Sequence, residues 1–141
     1  IIPSRGITAV KPNPLGGEPV SLWNQKTQKP ATASPLIMED VIYFTNSAGV
    51  LTAADRKTGK RLWRIRMKGP FSGSPVACQN GHLYFFNEEG LGQVVNITGD
   101  IGEVVSEFDL GETILATPSI SQNSLYIRSD QTLWKFSAKK E

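Results

Sequence analysis

The sequence predicts an all-β fold built from radially stacked four-stranded antiparallel sheets, and three observations carry that prediction. The first is a period. Ser34-Pro35, Ser74-Pro75 and Thr117-Pro118 stand 40 and 43 residues apart, a tyrosine follows each (Tyr43, Tyr84, Tyr126), and Trp23, Trp63 and Phe108 precede them in turn. A unit of about 40 residues is the mark of a repeat architecture. The second is the local pattern: short runs of β-branched and aromatic residues bounded by Gly, Pro and Asn, with no long window sustaining helical i, i+3, i+4 spacing. The third is burial. Residues 41–44 and 83–86 are apolar on both faces, whereas Arg64-Ile65-Arg66-Met67-Lys68 alternates. Buried inner strands with a half-exposed outer strand are what β-propeller blades require; a sandwich would explain the strands but not the period.

Each element follows in order. Ile7-Thr8-Ala9-Val10 and Ser21-Leu22-Trp23 read as the third and fourth strands of one blade, whose end occupies residues 1–30. Residues 31–70 form a complete blade: Leu36-Ile37-Met38 and residues 41–45 around the turn Glu39-Asp40, then residues 50–54 and 61–66. Residues 71–113 form another: Val76-Ala77-Cys78 and residues 82–86 around Asn80-Gly81, a pair that tolerates positive φ, then residues 91–95 and 104–108. Residues 114–137 supply three strands of a last blade, and residues 138–141 read as a polar tail. The first strand of each unit opens just after a proline, where a missing amide donor is tolerated. About three blade equivalents make an incomplete ring, since propellers close with about four to eight blades. The expectation is either the C-terminal part of a larger propeller or a homodimer closing a ring of about six blades.

Composition excludes several function classes. The longest stretch free of charged residues, 69–87, contains three Gly and two Pro, so no membrane-spanning helix is expected. Cys78 is the single cysteine, which rules out an intrachain disulfide and reads as a small apolar residue. His82, the single histidine, stands where the other units have Val41 and Ser124, so a strand-edge role is expected rather than a general base. Glu88-Glu89 and Asp100 lack the spacing of a calcium loop and read as solvated turn carboxylates. Asn96-Ile97-Thr98 has the form of a glycosylation acceptor, which matters only in a eukaryotic secreted protein.

Charge is asymmetric. Arg56, Lys57, Lys60, Arg61, Arg64, Arg66 and Lys68 against Asp55 give residues 55–68 a net +6, in a chain whose total is +2. Such a run blunts an exposed sheet edge or meets an anionic partner. Nucleic acid is not expected, because the run lacks interleaved aromatics to stack on bases.

One stretch goes further. Ala53-Ala54-Asp55-Arg56-Lys57-Thr58-Gly59-Lys60-Arg61-Leu62-Trp63 fits the pattern Ala-x-Asp-x-x-Thr-Gly-Lys-x-x-Trp, and Ser34-Pro35-Leu36-Ile37 and residues 41–44 fit the start of the same blade. The chain thereby resembles the quinoprotein (pyrroloquinoline-quinone-like) β-propeller repeat family. The resemblance implies that the tryptophan packs on the next blade near a Gly-bounded turn, making Asp55, Thr58, Gly59, Trp63, Trp23 and Phe108 the blade-docking residues. Phe108 stands for Trp in its unit, Asn96 stands for Asp55, and the turn before Trp23 is longer, with Gly16-Gly17. Quinone-dependent members hold their cofactor on the propeller axis with calcium, through loops of many blades. No residue here maps onto that site, so no catalytic, cofactor-binding or metal-binding residue is carried over and no cofactor is expected. The resemblance implies a non-catalytic module for protein-protein contacts in the bacterial envelope, periplasmic or extracellular, with the loops at 69–73 and 112–116 facing the partner. The alternative it leaves is a C-terminal fragment of a quinone-dependent dehydrogenase whose cofactor site lies in other blades.

Overall fold

The computed structural model describes residues 1–4 and 6–137, in which fourteen strands form four antiparallel sheets and no helix occurs. Blade I contains β1 (Ile2–Ser4), β2 (Gly6–Lys11) and β3 (Val20–Gln25). Blade II contains β4 (Leu36–Met38), β5 (Val41–Thr45), β6 (Val50–Asp55) and β7 (Arg61–Arg66). Blade III contains β8 (Val76–Cys78), β9 (His82–Phe86), β10 (Leu91–Asn96) and β11 (Glu103–Asp109). Blade IV contains β12 (Ser119–Ser121), β13 (Ser124–Arg128) and β14 (Leu133–Ser137). Every sheet is a meander in chain order and remains open, giving the stacked blades of a propeller. The polar tail, 138–141, lies outside the described residues. β1 has no counterpart in the sequence reading, because Pro3 and the adjoining Gly6 hide a three-residue strand from any alternation count.

The two faces of a blade bury different residues. In blade II, Ile42, Phe44 and Ala54 pack toward blade I with Ile7 and Trp23, while Tyr43, Leu51 and Ala53 pack toward blade III with Leu83, Phe85 and Val95. A third cluster joins Phe86 and Ile127 with Phe108 and Trp134 across the seam of blades III and IV. Strand periodicity of two sends neighbours to opposite faces, so a strand between two neighbouring blades is apolar on both faces, with Thr45, Thr52 and Gln93 as buried polar exceptions.

Turn chemistry sets the hairpins. Gly81 (φ 79°) closes the first hairpin of blade III, and Asn123 (φ 60°) does so in blade IV, both left-handed conformations. Between the third and fourth strands, blades I, II and III each carry a β-bulge, at Ala9/Val10, Ala53/Ala54 and Val94/Val95. The extra residues, Leu22, Leu62 and Val105, are thrown outward and are 60%, 55% and 48% exposed.

The Ser/Thr-Pro period has a bonding cause. The amide of Ser34 donates to Ser74 Oγ at 2.9 Å, and the amide of Ser74 donates to Thr117 Oγ1 at 3.0 Å. Each hydroxyl thus satisfies an amide of the blade before it, and the proline that follows starts the inner strand. Gly73 fits beneath Ala116, whose carbonyl oxygen would stand 2.5 Å from a Cβ there.

Leu83 is fully buried in the largest cluster. Leu83→Ala is expected to cost about 2–5 kcal/mol in urea unfolding, whereas Leu22→Ala, at an outward bulge, is expected to stay within about 0.5 kcal/mol of the parent.

Candidate functional site

The docking motif is built by the turn between β6 and β7. The Asp55 carboxylate accepts from the Thr58 amide and the Thr58 hydroxyl, both at 2.7 Å, and the Asp55 amide donates to the Lys60 carbonyl at 2.8 Å. The Thr58 hydroxyl and amide hold the Asp55 carboxyl below its usual range. This turn puts Gly59 in the left-handed region (φ 68°), where a Cβ would stand 2.5 Å from Trp23 Cε3. The indole of Trp23, from blade I, lies on that bare backbone and donates through Nε1 to the Arg56 carbonyl at 3.0 Å. Gln25 Nε2 donates to the Thr58 carbonyl at 3.1 Å, and Gln28 Nε2 to the Gly59 carbonyl.

Trp63 repeats the arrangement one blade on. Its ring lies over Gly102, where a Cβ would be 2.5 Å from Cη2, and packs at 5.9 Å between ring centroids on Tyr43. Thus Gly59 and Trp63 serve different seams. Asn96 takes the part of Asp55, accepting from the amide and hydroxyl of Thr98, each at 2.9 Å. Gly102, Gln25 and Gln28 were absent from the sequence-based set. Gly102 carried a signal, since it lies 43 residues beyond Gly59, the same step as Ser74 to Thr117.

Phe108 docks on the next blade but is out of register with the tryptophans. Tyr43 aligns across the sheet with Ala53 and Trp63, and Tyr84 aligns with Val94 and Ser106, so Ser106 holds the tryptophan register. Phe108 lies two residues further along, opposite Gly92, and its ring meets Phe86 at 5.7 Å and Phe136 of blade IV at 5.4 Å. It sits at a blade seam by a different geometry, because spacing counted from Ser/Thr-Pro cannot detect a two-residue slide within a strand.

The basic run divides. Arg56 and Lys57 reach Asp40 at 2.8 and 3.9 Å, and Lys68 Nζ reaches Glu107 at 2.6 Å. Arg66 donates to the Ala48 carbonyl. Lys60, Arg61 and Arg64 are exposed and form no ion pair among the described residues. Arg61 and Arg64 border a crevice between blade II and residues 27–29.

The loops at 69–73 and 112–116 share one end of the blades with the turns between second and third strands. Phe71 and Ile114 are buried anchors. The Glu88 amide donates to the Pro70 carbonyl at 3.0 Å, and Ser72 Oγ to Glu88 at 2.7 Å. Glu112 accepts from Ser129 Oγ at 2.6 Å, Thr132 Oγ1 at 2.8 Å and the Gln131 amide at 3.2 Å. The Ser129 and Thr132 hydroxyls hold its carboxyl below the usual range. Leu115 projects from this fixed loop, 56% exposed.

A quinone with calcium does not fit the described residues. Calcium needs about six to eight oxygen ligands, and among the described residues no group of three His, Cys, Asp or Glu converges. A cleft of about 680 Å3 between blades III and IV is lined by Cys78, Tyr84, Leu125 and Phe136 and by no charged side chain. Buried polar atoms without a partner, Gln28 Oε1, Thr45 Oγ1 and Gln93 Nε2, sit on a connector, on β5 and on β10. His82 lies on β9 opposite Cys78 and Asn96, with no acid beside it in either pairing.

Comparison with known proteins agrees with this architecture. The family model described as outer membrane protein assembly factor BamB matches residues 17–70 and 47–140. The crystal structure of BamB from Moraxella catarrhalis superposes with a TM-score of 0.64 at 19% identity, covering 83% of this chain and 36% of that one. The quinohemoprotein alcohol dehydrogenase ADHIIG from Pseudomonas putida HK5 gives 0.55 at 18% identity, covering 67% and 16%. The quinoprotein alcohol dehydrogenase PedH of Pseudomonas putida is 30% identical over 110 residues, 70% of this chain and 18% of PedH. The chain therefore spans about a third of the BamB structure and under a fifth of either dehydrogenase.

Two outcomes follow from this geometry. Gly102→Ala is expected to cost about 1–3 kcal/mol by urea unfolding, through overpacking against the indole; in a Trp63→Leu background most of that cost disappears, as a double-mutant cycle would measure. For Glu112 the folded-state pKa lies below the unfolded one, so its stabilisation is present above the ordinary glutamate pKa and is lost as pH falls through the folded value. Glu112→Gln is expected to unfold earlier than the parent near neutral pH, the two thermal midpoints converging once the pH has fallen below the folded-state pKa.

Proposed function

As this chain belongs to the family of the outer membrane protein assembly factor BamB, we propose that it is part of a β-propeller scaffold that makes protein-protein contacts in the bacterial envelope, without catalysis of its own. The observation that carries this reading is the fixed connector end. Ile114 is fully buried and Glu112 is bonded to three groups of the neighbouring turn, so the exposed Leu115 is presented by backbone that is already ordered. Ordering costs at binding are then small, so a partner that buries this aliphatic side chain gives up little of the gain to immobilising the loop. Envelope location and assembly partners are inferred from the relative's name, since folds of this kind host several functions.

The second reading is a portion of a quinone-dependent dehydrogenase, favoured by the 30% identity to PedH. One experiment separates the two. The purified chain is titrated by calorimetry against isolated components of an outer membrane protein assembly machinery, and it is assayed separately with pyrroloquinoline quinone, calcium, an alcohol and a redox dye. The scaffold reading expects saturable binding that Leu115→Glu weakens about tenfold or more, with no dye reduction. Turnover of the alcohol, or the absence of binding to every component, would overturn it.

A further inference from the structure

Blades II and III carry the same structural row with opposite chemistry. In blade III the row is Phe85, Gln93 and Glu107, aligned across β9, β10 and β11. The connector from blade II closes it internally: Lys68 Nζ reaches Glu107 at 2.6 Å, and the Lys68 amide donates to Gln93 Oε1 at 2.9 Å. In blade II the equivalent row is Phe44, Thr52 and Arg64. Its connector contributes Gln28 and Lys29, and these border the crevice together with Arg61, Arg64 and Thr52. The place that holds a lysine-glutamate pair in one seam thus holds three cations and no carboxylate in the other.

We propose that this crevice binds a small oxyanion of the phosphate class. Its volume is about 110 Å3, equivalent to roughly three or four water molecules at about 30 Å3 each, which suits a tetrahedral anion. Three like charges around one small space repel one another, and an anion turns that repulsion into attraction. Guanidinium groups present paired donors in a planar fork suited to phosphate oxygens. Phe44, 2% exposed, forms an apolar floor that lowers the local dielectric and strengthens the attraction. The Thr52 hydroxyl adds a neutral donor, and Gln28 is held on the wall by its bond to the Gly59 carbonyl. The source is free phosphate or the phosphate of a lipid headgroup, which present the same oxygens.

The test titrates inorganic phosphate against the purified chain by phosphorus NMR and thermal shift, with chloride holding ionic strength constant. Saturable binding is expected, reduced about tenfold by Arg64→Gln and changed less than about twofold by Lys57→Gln, which alters the same basic run at a side chain paired with Asp40. Arg64→Glu copies the neighbouring seam; it is expected to fold with at least the parent midpoint and to bind no phosphate. Phosphatidylglycerol vesicles compared with phosphatidylcholine vesicles identify the source: retention that phosphate competes away and Arg64→Gln removes marks a headgroup, and its absence alongside phosphate binding marks the free anion. Unsaturable phosphate binding, or an equal loss with Lys57→Gln, would overturn the proposal and leave only a diffuse positive field.

Discussion

The structure depends on the contact between an aromatic ring and a stretch of backbone that carries no side chain. Trp23 on Gly59 and Trp63 on Gly102 each join a fourth strand to the following blade's outer turn. Neither partner can vary much. A methyl group at the glycine would overlap the ring, and a smaller side chain at the tryptophan would leave a void along the seam. The turn is held to that shape by a side chain acting on its own backbone, Asp55 in one blade and Asn96 in the next. Short-range hydrogen bonding thus sets a long-range distance, the separation between blades.

Repetition of one contact explains why the fold could be read so fully from residues alone. Strands sandwiched between two neighbours are largely apolar on both sides, and residues 41–44 and 83–86 display this. The outer strand must be half polar, and Arg64-Ile65-Arg66 displays that. What escaped was information at a finer scale than the repeat. Phe108 has the right chemistry at nearly the right distance, yet Ser106 holds the tryptophan register, because a cross-strand alignment moves in steps of two while a motif count tolerates any step. β1 escaped because three residues including a proline carry no periodicity. The crevice between blades I and II escaped because its cations come from residues 29 and 61–64, brought together only by the docking of one sheet on the next.

Electrostatics is where the blades differ most. The motif that shapes the turn brings lysine and arginine with it, and each seam then disposes of that charge in its own way. Asp40 takes up Arg56 and Lys57, and Glu107 takes up Lys68, so part of the run is absorbed by the protein itself. Exposed pairs of this type contribute little to stability. Their larger effect is to decide where uncompensated charge remains. A nearly invariant backbone can in this way leave positive charge uncompensated at one seam and neutralised at the next.

The hydrogen bonds along the inner edge also have a direction. Ser34 donates to Ser74 and Ser74 donates to Thr117, always from the earlier residue to the later one. The same holds for the tryptophans, whose glycines lie downstream. During synthesis on the ribosome a blade therefore cannot complete its seam until about one further repeat has emerged, and then the newly made blade finds a finished template. In such a stack each blade gains its stability from contacts with its immediate neighbours, so the seams, rather than the single sheets, are the units that hold the molecule together.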